Sequence, residues 1–241
     1  MLRKLAGAVI ALAICGPLDT ARAEVFLENM TSPEVGAAIA EGTRTVIIPT
    51  GGTEQNGAVM VLGKHNIRVR ALSGRIAEAL GDAMVAPVIA YVPEGEIDPP
   101  TGHMPFPGSI TVPPEIFAAN VEWAARSMRQ AGFETIVLLG DSGWNQAPMA
   151  EVAEKLNREW GGGVLFADAY YDTNAVFAAW LEEQGFERAG VHAGLADTAM
   201  MLAVDPGAVR DKGVATEAMG ARGVEMFVAR TVEQVRAFRG D

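Results

Sequence analysis

The chain of 241 residues contains a single cysteine, Cys15, and only three histidines. One cysteine cannot form an intramolecular disulfide, so the fold must be stabilised by its apolar core, for which a hydrophobic content of 49% supplies the material. Basic residues are also scarce, since 19 Lys and Arg stand against 30 Asp and Glu, for a net charge of −11. This acidic balance argues against nucleic acid and anionic membrane surfaces as partners.

A short apolar run lies near the start of the chain, at residues 5–14, and it is far shorter than the roughly 20 residues that a membrane-spanning helix requires. It follows the basic residues Arg3 and Lys4 and precedes Ala21-Arg22-Ala23, a small-x-small cleavage site. This order of features is typical of a secretory signal peptide and is less consistent with a buried first helix of the domain. We therefore expect export, to the periplasm or out of the cell, and no membrane span.

Cleavage after Ala23 would leave residues 24–241 as one domain, because this length suits a single well-buried core and is short for two. It would also remove the only cysteine and make the chain more acidic, since residues 1–23 carry three basic residues and one acidic residue. A lipid anchor at Cys15 is the alternative, although Ile14 stands where lipid-anchoring motifs have a small residue.

Apolar runs rich in β-branched residues alternate with helical patterns along the rest of the chain. The runs are typical of buried parallel strands, and they occur at residues 45–49, 84–88, 135–139 and 164–167. The helical patterns fall at residues 33–40, 69–80, 114–131, 147–160, 173–184, 197–203 and 216–238. This alternation predicts an α/β fold with a mostly parallel central sheet and helices on both of its faces.

One segment, residues 91–114, interrupts the alternation with seven prolines and three glycines. It is too long and too rich in proline for a simple connection. Long ordered loops in compact domains often carry functional residues. A rigid packing or oligomer-contact loop is an equally open interpretation.

Polar side chains follow two of the predicted strands. Glu54 comes shortly after the strand at residues 45–49, and Asp141 follows the strand at residues 135–139. Because the carboxyl ends of parallel strands form the ligand crevice of an α/β sheet, the two loops should lie close together. The histidines all stand in glycine-rich segments predicted as loops or strand ends: His65, His103 and His192. Carboxylates with imidazole at such an edge have the composition of a metal site, while a structural or exposed role for each histidine is the alternative.

Five short segments resemble the motifs of a known family, and they occur in that family's order. Residues 48–57 (IPTGGTEQNG) are similar to P-x-G-S-x-E-Q-H-G, and residues 62–65 (LGKH) are similar to L-G-T-D. Residues 106–111 (FPGSIT) are similar to F-P-G-T-I-S, residues 140–145 stand where the family has N-G-H-G-G-N, and residues 192–199 (HAGLADTA) resemble H-A-G-x-x-E-T-S. On these motifs, which span about residues 46 to 206, the chain resembles the creatininase (creatinine amidohydrolase) family.

This resemblance implies a three-layer α/β/α hydrolase, usually oligomeric, that opens cyclic or otherwise activated amides. It also implies one or two divalent metals, often zinc or manganese, at the carboxyl edge of the sheet. Glu54 matches the family's metal-binding glutamate. His192 matches a motif histidine that can donate a proton or orient substrate near the metal, and Asp197 replaces the glutamate of the same motif.

Four positions depart from the family pattern. Asn56 and Ser142 replace two metal-binding histidines, and His65 replaces the aspartate that bridges two metals. Trp144 stands where some members have a metal-binding glutamate. Neutral amides and hydroxyls are weaker ligands than imidazole, and an imidazole does not bridge as a carboxylate does. Two metals are therefore not expected.

The resemblance and its departures together lead to a one-metal hypothesis. One divalent ion, Zn or Mn, would be held by Glu54, His65 and either Asp141 or Asp197, leaving an open position for a water that attacks an amide carbonyl. His192 or Asp197 would pass a proton to the leaving nitrogen. The predicted function is an exported metal-dependent amidohydrolase, a homo-oligomer acting on a small-molecule substrate.

Two other functions stay open at this point. A non-catalytic relative would use the same cleft to bind a small molecule or a partner protein, and Ser142 in place of a ligand favours that reading. Serine chemistry through Ser142 with His192 is a third hypothesis. It is disfavoured because the segment lacks the G-x-S-x-G spacing of a nucleophile elbow.

Overall fold

The computed structural model describes residues 24–186 and 192–241. The predicted signal peptide, residues 1–23, and the alternative anchor at Cys15 lie outside the described residues. Among the residues that are described, no helix is both long and apolar enough to cross a membrane.

A four-stranded parallel sheet forms the centre of the molecule, with the order β2-β1-β3-β4. The strands are β1 (Thr45–Thr50), β2 (Ala83–Val85), β3 (Thr135–Gly140) and β4 (Val164–Phe166). Every residue of β1 is buried, as expected for a central strand that is covered on both faces. The second strand is shorter than the predicted residues 84–88, because Pro87 has no N–H to donate to a neighbouring strand.

Helices cover both faces of the sheet, so the predicted α/β/α layering is confirmed. The helices of the described residues are α1 (Ser32–Glu41), α2 (Lys64–Leu80), α3 (Pro114–Ala131), α4 (Gln146–Trp160), α5 (Asp168–Glu183), α6 (Leu195–Val204) and α7 (Glu217–Arg239). Strand side chains alternate between the faces. Ile47 and Val137 pack with α2, α5, α6 and α7, whereas Ile48 and Leu138 pack with α3, α4 and the partly buried face of α1.

Helix α2 begins at Lys64, five residues before the predicted start, and this changes the setting of His65. The prediction that His65 stands in a loop is wrong, because the residue lies in the first turn of α2 and is buried. The apolar period of the helix is visible in the sequence only from Val69, since the preceding turn directs polar side chains inward. Residues three and four apart share a helix face, so Lys64, His65 and Arg68 point into the same region.

The sheet order places a crevice between the carboxyl ends of β1 and β3. From β1 the chain moves to β2 on one side, and β3 lies on the other side of β1, so the following loops diverge at this point. The amide of Asn145 donates to the Thr50 hydroxyl and to the carbonyl of Gly51, both at 2.8 Å, and joins the two loops. The prediction that these loops lie close together is confirmed.

The proline-rich segment folds back over this crevice. The N–H of Ile110 donates to the Thr53 carbonyl at 2.9 Å, and the N–H of His103 donates to the Glu94 carbonyl at 2.9 Å. These contacts place His103 in the lining of the crevice and leave Glu94 buried nearby. The segment therefore contributes side chains to the candidate site in addition to packing.

Candidate metal and active site

Glu54 is the centre of the candidate site, and only 2% of the residue is exposed. Its Oε1 lies 2.9 Å from Nε2 of His65 and 3.4 Å from Nδ1 of His192. Its Oε2 lies 3.1 Å from Nε2 of His103. The ammonium of Lys64 is 3.5 Å from Oε1. All three histidines of the chain thus surround one carboxylate.

Both ring nitrogens of His65 face carboxylates. Nε2 lies against Glu54, and Nδ1 is 2.8 Å from Oδ2 of Asp141. Burial alone would lower the pKa of His65, but hydrogen bonds to Asp141 and Glu54 raise it above its ordinary value. Because a carboxylate can only accept, His65 donates from both nitrogens as an imidazolium and has no lone pair free for a metal in this arrangement.

Asp141 already has a full set of donors. Arg68 Nε approaches both of its oxygens at 3.0 Å, and the Tyr170 hydroxyl donates to Oδ1 at 2.9 Å. Burial would raise the pKa of Asp141, yet the charge of Arg68 and the hydrogen bond from His65 hold it below its usual range. Asp141 is therefore a carboxylate that neutralises two buried cations.

Asp197 is paired in the same way. Its Oδ1 accepts from Nη1 of Arg68 at 2.6 Å, and its Oδ2 accepts from Nζ of Lys64 at 2.6 Å and from the N–H of Ala193 at 3.0 Å. Burial opposes ionisation, but the charges of Lys64 and Arg68 hold the pKa of Asp197 well below its usual range. A metal ion would have to displace one of these cations to reach Asp197.

A different set of side chains has the geometry of a metal site. Among the described residues, Glu54, His103 and His192 can place one ligand atom each within 4.8 Å of one another. The rings of His103 and His192 stack with centroids 4.8 Å apart. One carboxylate and two imidazoles form a donor set that zinc and manganese accept, and three protein ligands leave a position open.

A hydrogen bond to the backbone fixes the orientation of the His192 ring. Its Nε2 lies 2.7 Å from the backbone carbonyl of Gln55, and a carbonyl oxygen can only accept, so this nitrogen carries the proton. In the neutral ring Nδ1 then directs its lone pair toward Glu54. A histidine that donates its outer N–H to a backbone carbonyl is the usual support of a metal-binding imidazole.

His103 also has an environment that suits a ligand. Burial lowers its pKa below the ordinary value, although the Glu54 charge acts in the opposite direction. The neutral ring is the form that can bind a metal. The side-chain amide of Gln55 lies 3.4 Å from Nδ1, which leaves Nε2 facing Glu54.

These side chains line a cavity of about 430 Å³ that opens to solvent. Trp144 and Tyr171 stand at its walls, and Trp144 is half exposed. A second cleft of about 660 Å³ lies beyond Trp144, between the first turns of α3 and α4. The clustered carboxylates and histidines described above line the first cavity, which is therefore the candidate site.

Glu94 is buried, and its carboxyl group lies beside Glu54 and Ser142. Burial, reinforced by the charge of Glu54, raises the pKa of Glu94 to about 9. The group is therefore a neutral carboxylic acid at neutral pH. A Cβ at Gly52 would lie 2.3 Å from Oε1 of Glu94, so the glycine makes room for this side chain.

The five residues predicted from sequence all lie at this site: Glu54, His65, Asp141, His192 and Asp197. The ligand set predicted for them stays a prediction, and the structure places cations rather than open space against Asp141 and Asp197. Sequence reasoning noted His103 without assigning it to the site, and it missed Lys64, Arg68 and Glu94. The four-residue spacing of Lys64 and Arg68 was a usable signal only if the helix began at residue 64.

The sequence matches a family model and a characterised relative. The model of the family described as "Creatininase: Creatinine amidohydrolase" matches residues 28–239. A creatinine amidohydrolase from Pseudomonas putida is 25% identical over 190 residues, which cover 76% of this chain and 72% of the relative.

Solved structures show the same fold. A structure described as "Creatininase Mn" superposes with a TM-score of 0.72 at 23% identity, over 89% of this chain and 98% of the other. A mutant creatininase of "Zn-Zn type" superposes with a TM-score of 0.70 at 22% identity, also over 89% and 98%. Together with the family match over most of its length, these findings show that the chain belongs to the creatininase family.

Proposed function

We propose that this protein is a metal-dependent amidohydrolase that holds one divalent ion, zinc or manganese, on Glu54, His103 and His192. The observation that carries the proposal is the orientation of His192, whose Nε2 is engaged by a backbone carbonyl while Nδ1 faces the Glu54 carboxylate at 3.4 Å. The carboxylate of Glu54 only accepts, and Nδ1 of the neutral His192 ring also accepts, so a cation between the two stabilises this arrangement. A proton or a metal ion can take that position, and the nearby His103 completes a metal-binding set.

When bound, a divalent ion supplies Lewis-acid chemistry to the carbonyl group of an amide and activates water for attack. Residues of the chain orient the side chains that surround the ion. His65 donates to one oxygen of Glu54 and to Asp141, and so fixes the glutamate between the histidines. Asp197 is held as a carboxylate by Lys64 and Arg68, and we assign it a positioning role.

A small cyclic or otherwise activated amide is the substrate class that we propose. The cavity of about 430 Å³ suits a small molecule, and Trp144 and Tyr171 offer flat apolar walls to a planar ring. The relative from Pseudomonas putida is a creatinine amidohydrolase, which supports an amide bond in a small ring as the bond that is cleaved.

A binding protein without catalytic activity is the second candidate. The observation that favours it is the internal charge balance of the site, in which Arg68 and Lys64 neutralise Asp141 and Asp197. This candidate predicts an intact cavity that binds a small molecule and hydrolyses none.

Elemental analysis of protein purified without chelator tests the metal proposal. We expect close to one zinc or manganese per chain, and loss of that metal in His103→Ala and His192→Ala. The matched variant His65→Gln should keep the metal, because His65 donates to carboxylates from both nitrogens. Absence of metal in the wild type, with no rise in thermal stability on adding zinc or manganese, would contradict the proposal.

Hydrolysis assays distinguish the enzyme from the binding protein. The panel consists of cyclic amides, lactams and lactones, each assayed before chelation, after chelation and after the metal is restored. We expect turnover of at least one cyclic amide that disappears on chelation and returns with metal. A metal-loaded protein that binds members of the panel and hydrolyses none would favour the binding function.

We also propose that the protein is exported after removal of residues 1–23, on the strength of the sequence alone. Sequencing the N-terminus of the mature protein should give Glu24 as the first residue, and full-length protein in the cytoplasm would contradict export.

A homo-oligomer is our proposal for the assembly. The exposed apolar side chains of the proline-rich segment, among them Ile97 and Phe106, support it. Light scattering should give a mass of at least two chains, and a monomer at micromolar concentration would contradict it.

A further inference from the structure

Lys64 is a deeply buried cation next to the candidate metal ligand Glu54. Only 1% of the residue is exposed, and its ammonium lies 2.6 Å from Oδ2 of Asp197 and 3.5 Å from Oε1 of Glu54. Removing an ammonium from water is costly, so it persists at such a position only when carboxylates compensate it. The Lys64 ammonium therefore belongs to the charge structure of the site.

Within the part of the chain that the structure describes, the charged groups in contact around Lys64 balance one another. Three carboxylates, Glu54, Asp141 and Asp197, are in contact with Lys64, Arg68 and the imidazolium of His65. Arg68 bridges Asp141 and Asp197, and His65 bridges Asp141 and Glu54. Among the described residues, Lys64 is the one cation that contacts both Glu54 and Asp197 directly.

The position of the ammonium is one that a metal ion would otherwise suit. It lies between Oε1 of Glu54, which is also a candidate ligand of the first ion, and Oδ2 of Asp197, and both residues line the cavity. Carboxylate oxygens from two different residues are donors that zinc and manganese accept. While the ammonium is present, a divalent ion at this position is excluded by sterics and by like charge.

We propose that Lys64 is a built-in cation that occupies a second metal position of this site and limits the chain to one divalent ion. The proposal rests on the proposed function only for the first ion, the one held by Glu54, His103 and His192. It predicts that removal of the ammonium opens the space between Glu54 and Asp197 to an added ion. Arg68 stays in place to hold the remaining carboxylate oxygens.

Metal stoichiometry of Lys64→Met tests the proposal, because methionine retains much of the side-chain volume and removes the charge. The matched control is Lys155→Met, which removes an exposed lysine paired with Glu122 at 2.7 Å on the surface. Each protein is dialysed against zinc or against manganese, and the bound metal per chain is determined by elemental analysis. We expect one equivalent in the wild type and in Lys155→Met, and two in Lys64→Met.

The difference in bound metal per chain between Lys64→Met and the wild type decides whether Lys64 occupies a second metal position. One additional equivalent in Lys64→Met supports the proposal, and an unchanged stoichiometry overturns it. A wild type that binds no metal would contradict the proposed function separately, whatever the difference is. Calorimetric titration of the wild type does not depend on the folding of a variant. Saturation at one equivalent supports the proposal, and two tight equivalents with Lys64 intact would overturn it.

Discussion

Nη1 of Arg68 lies 2.6 Å from Oδ1 of Asp197, although 129 positions separate the two residues in the sequence. Both side chains are buried, and the contact ties α2 to α6 across the candidate site. The same guanidinium also contacts Asp141 at the end of β3. Arg68 therefore holds together three parts of the chain that each supply a site residue.

Replacement of Arg68 by methionine should be strongly destabilising. The change leaves Asp141 and Asp197 buried with fewer cations, and breaking such a buried pair from one side costs about 3–5 kcal/mol. Urea denaturation should show a decrease of that size in the free energy of unfolding. The control is Arg222→Met, which removes an exposed arginine paired with Glu225 on the surface of α7 and should cost no more than about 1 kcal/mol. Equal effects of the two substitutions would contradict the assigned role of Arg68.

Gly220 marks the closest approach of α7 to α6, the helix that carries Asp197. A Cβ at this position would lie 1.8 Å from the carbonyl oxygen of Ala199. Because that oxygen belongs to the backbone, Gly220→Ala must push the helices apart, and we expect a loss of at least about 2 kcal/mol. Thermal or urea denaturation measures it.

Gly36→Ala in α1 is the matched control for Gly220, since nothing lies within 4 Å of its added Cβ. An alanine there should increase the free energy of unfolding by roughly 0.5–1 kcal/mol, because glycine is the poorer helix former. If Gly220→Ala were as well tolerated as Gly36→Ala, the result would contradict the close packing of α7 against α6 at Gly220.

Glu94 should make the stability of the protein fall as pH rises. Burial raises its pKa to about 9, whereas the ordinary value is 4.5. The folded state then keeps a proton that the unfolded state releases, so the contribution of Glu94 is fully present below the unfolded pKa and is lost as pH rises through the folded pKa. Each pH unit between the two pKa values lowers the free energy of unfolding by at most about 1.4 kcal/mol.

Glu94→Gln removes this titration. The free energy of unfolding of the variant, relative to that of the wild type, should therefore increase between pH 5 and pH 9. Urea denaturation of metal-free protein across this range provides the comparison. Glu41→Gln, at the exposed end of α1, is the control and should leave the pH profile unchanged. Parallel profiles for Glu94→Gln and the wild type would show that Glu94 is ionised in the folded protein.

Local sequence patterns predicted most of the fold. Helix α3 begins at Pro114 and ends before Gly132 as predicted, because proline and glycine punctuate its ends. The runs at residues 45–49 and 135–139 lie within β1 and β3. The sequence pattern does not predict the start of α2. The first turn of this helix directs polar side chains into the site, so the apolar period that indicates a helix is absent there.

The location of the site could be predicted from the sequence. The partner of each carboxylate within the site could not. Parallel strands bring their carboxyl ends together, which is why Glu54 and Asp141 share one crevice. His103 reaches the crevice from the proline-rich segment, whose path depends on long-range contacts such as that between Ile110 and Thr53. Whether a carboxylate faces a metal or a lysine depends on which side of α2 each residue occupies, and motif similarity does not carry that information.

The most direct test of the account is anomalous diffraction from crystals of zinc- or manganese-loaded protein. The account predicts one strong anomalous peak per chain, bonded to Glu54, His103 and His192, with Lys64 still between Glu54 and Asp197. A peak bonded instead to His65 with Asp141 or Asp197, or no peak at saturating metal, would contradict it.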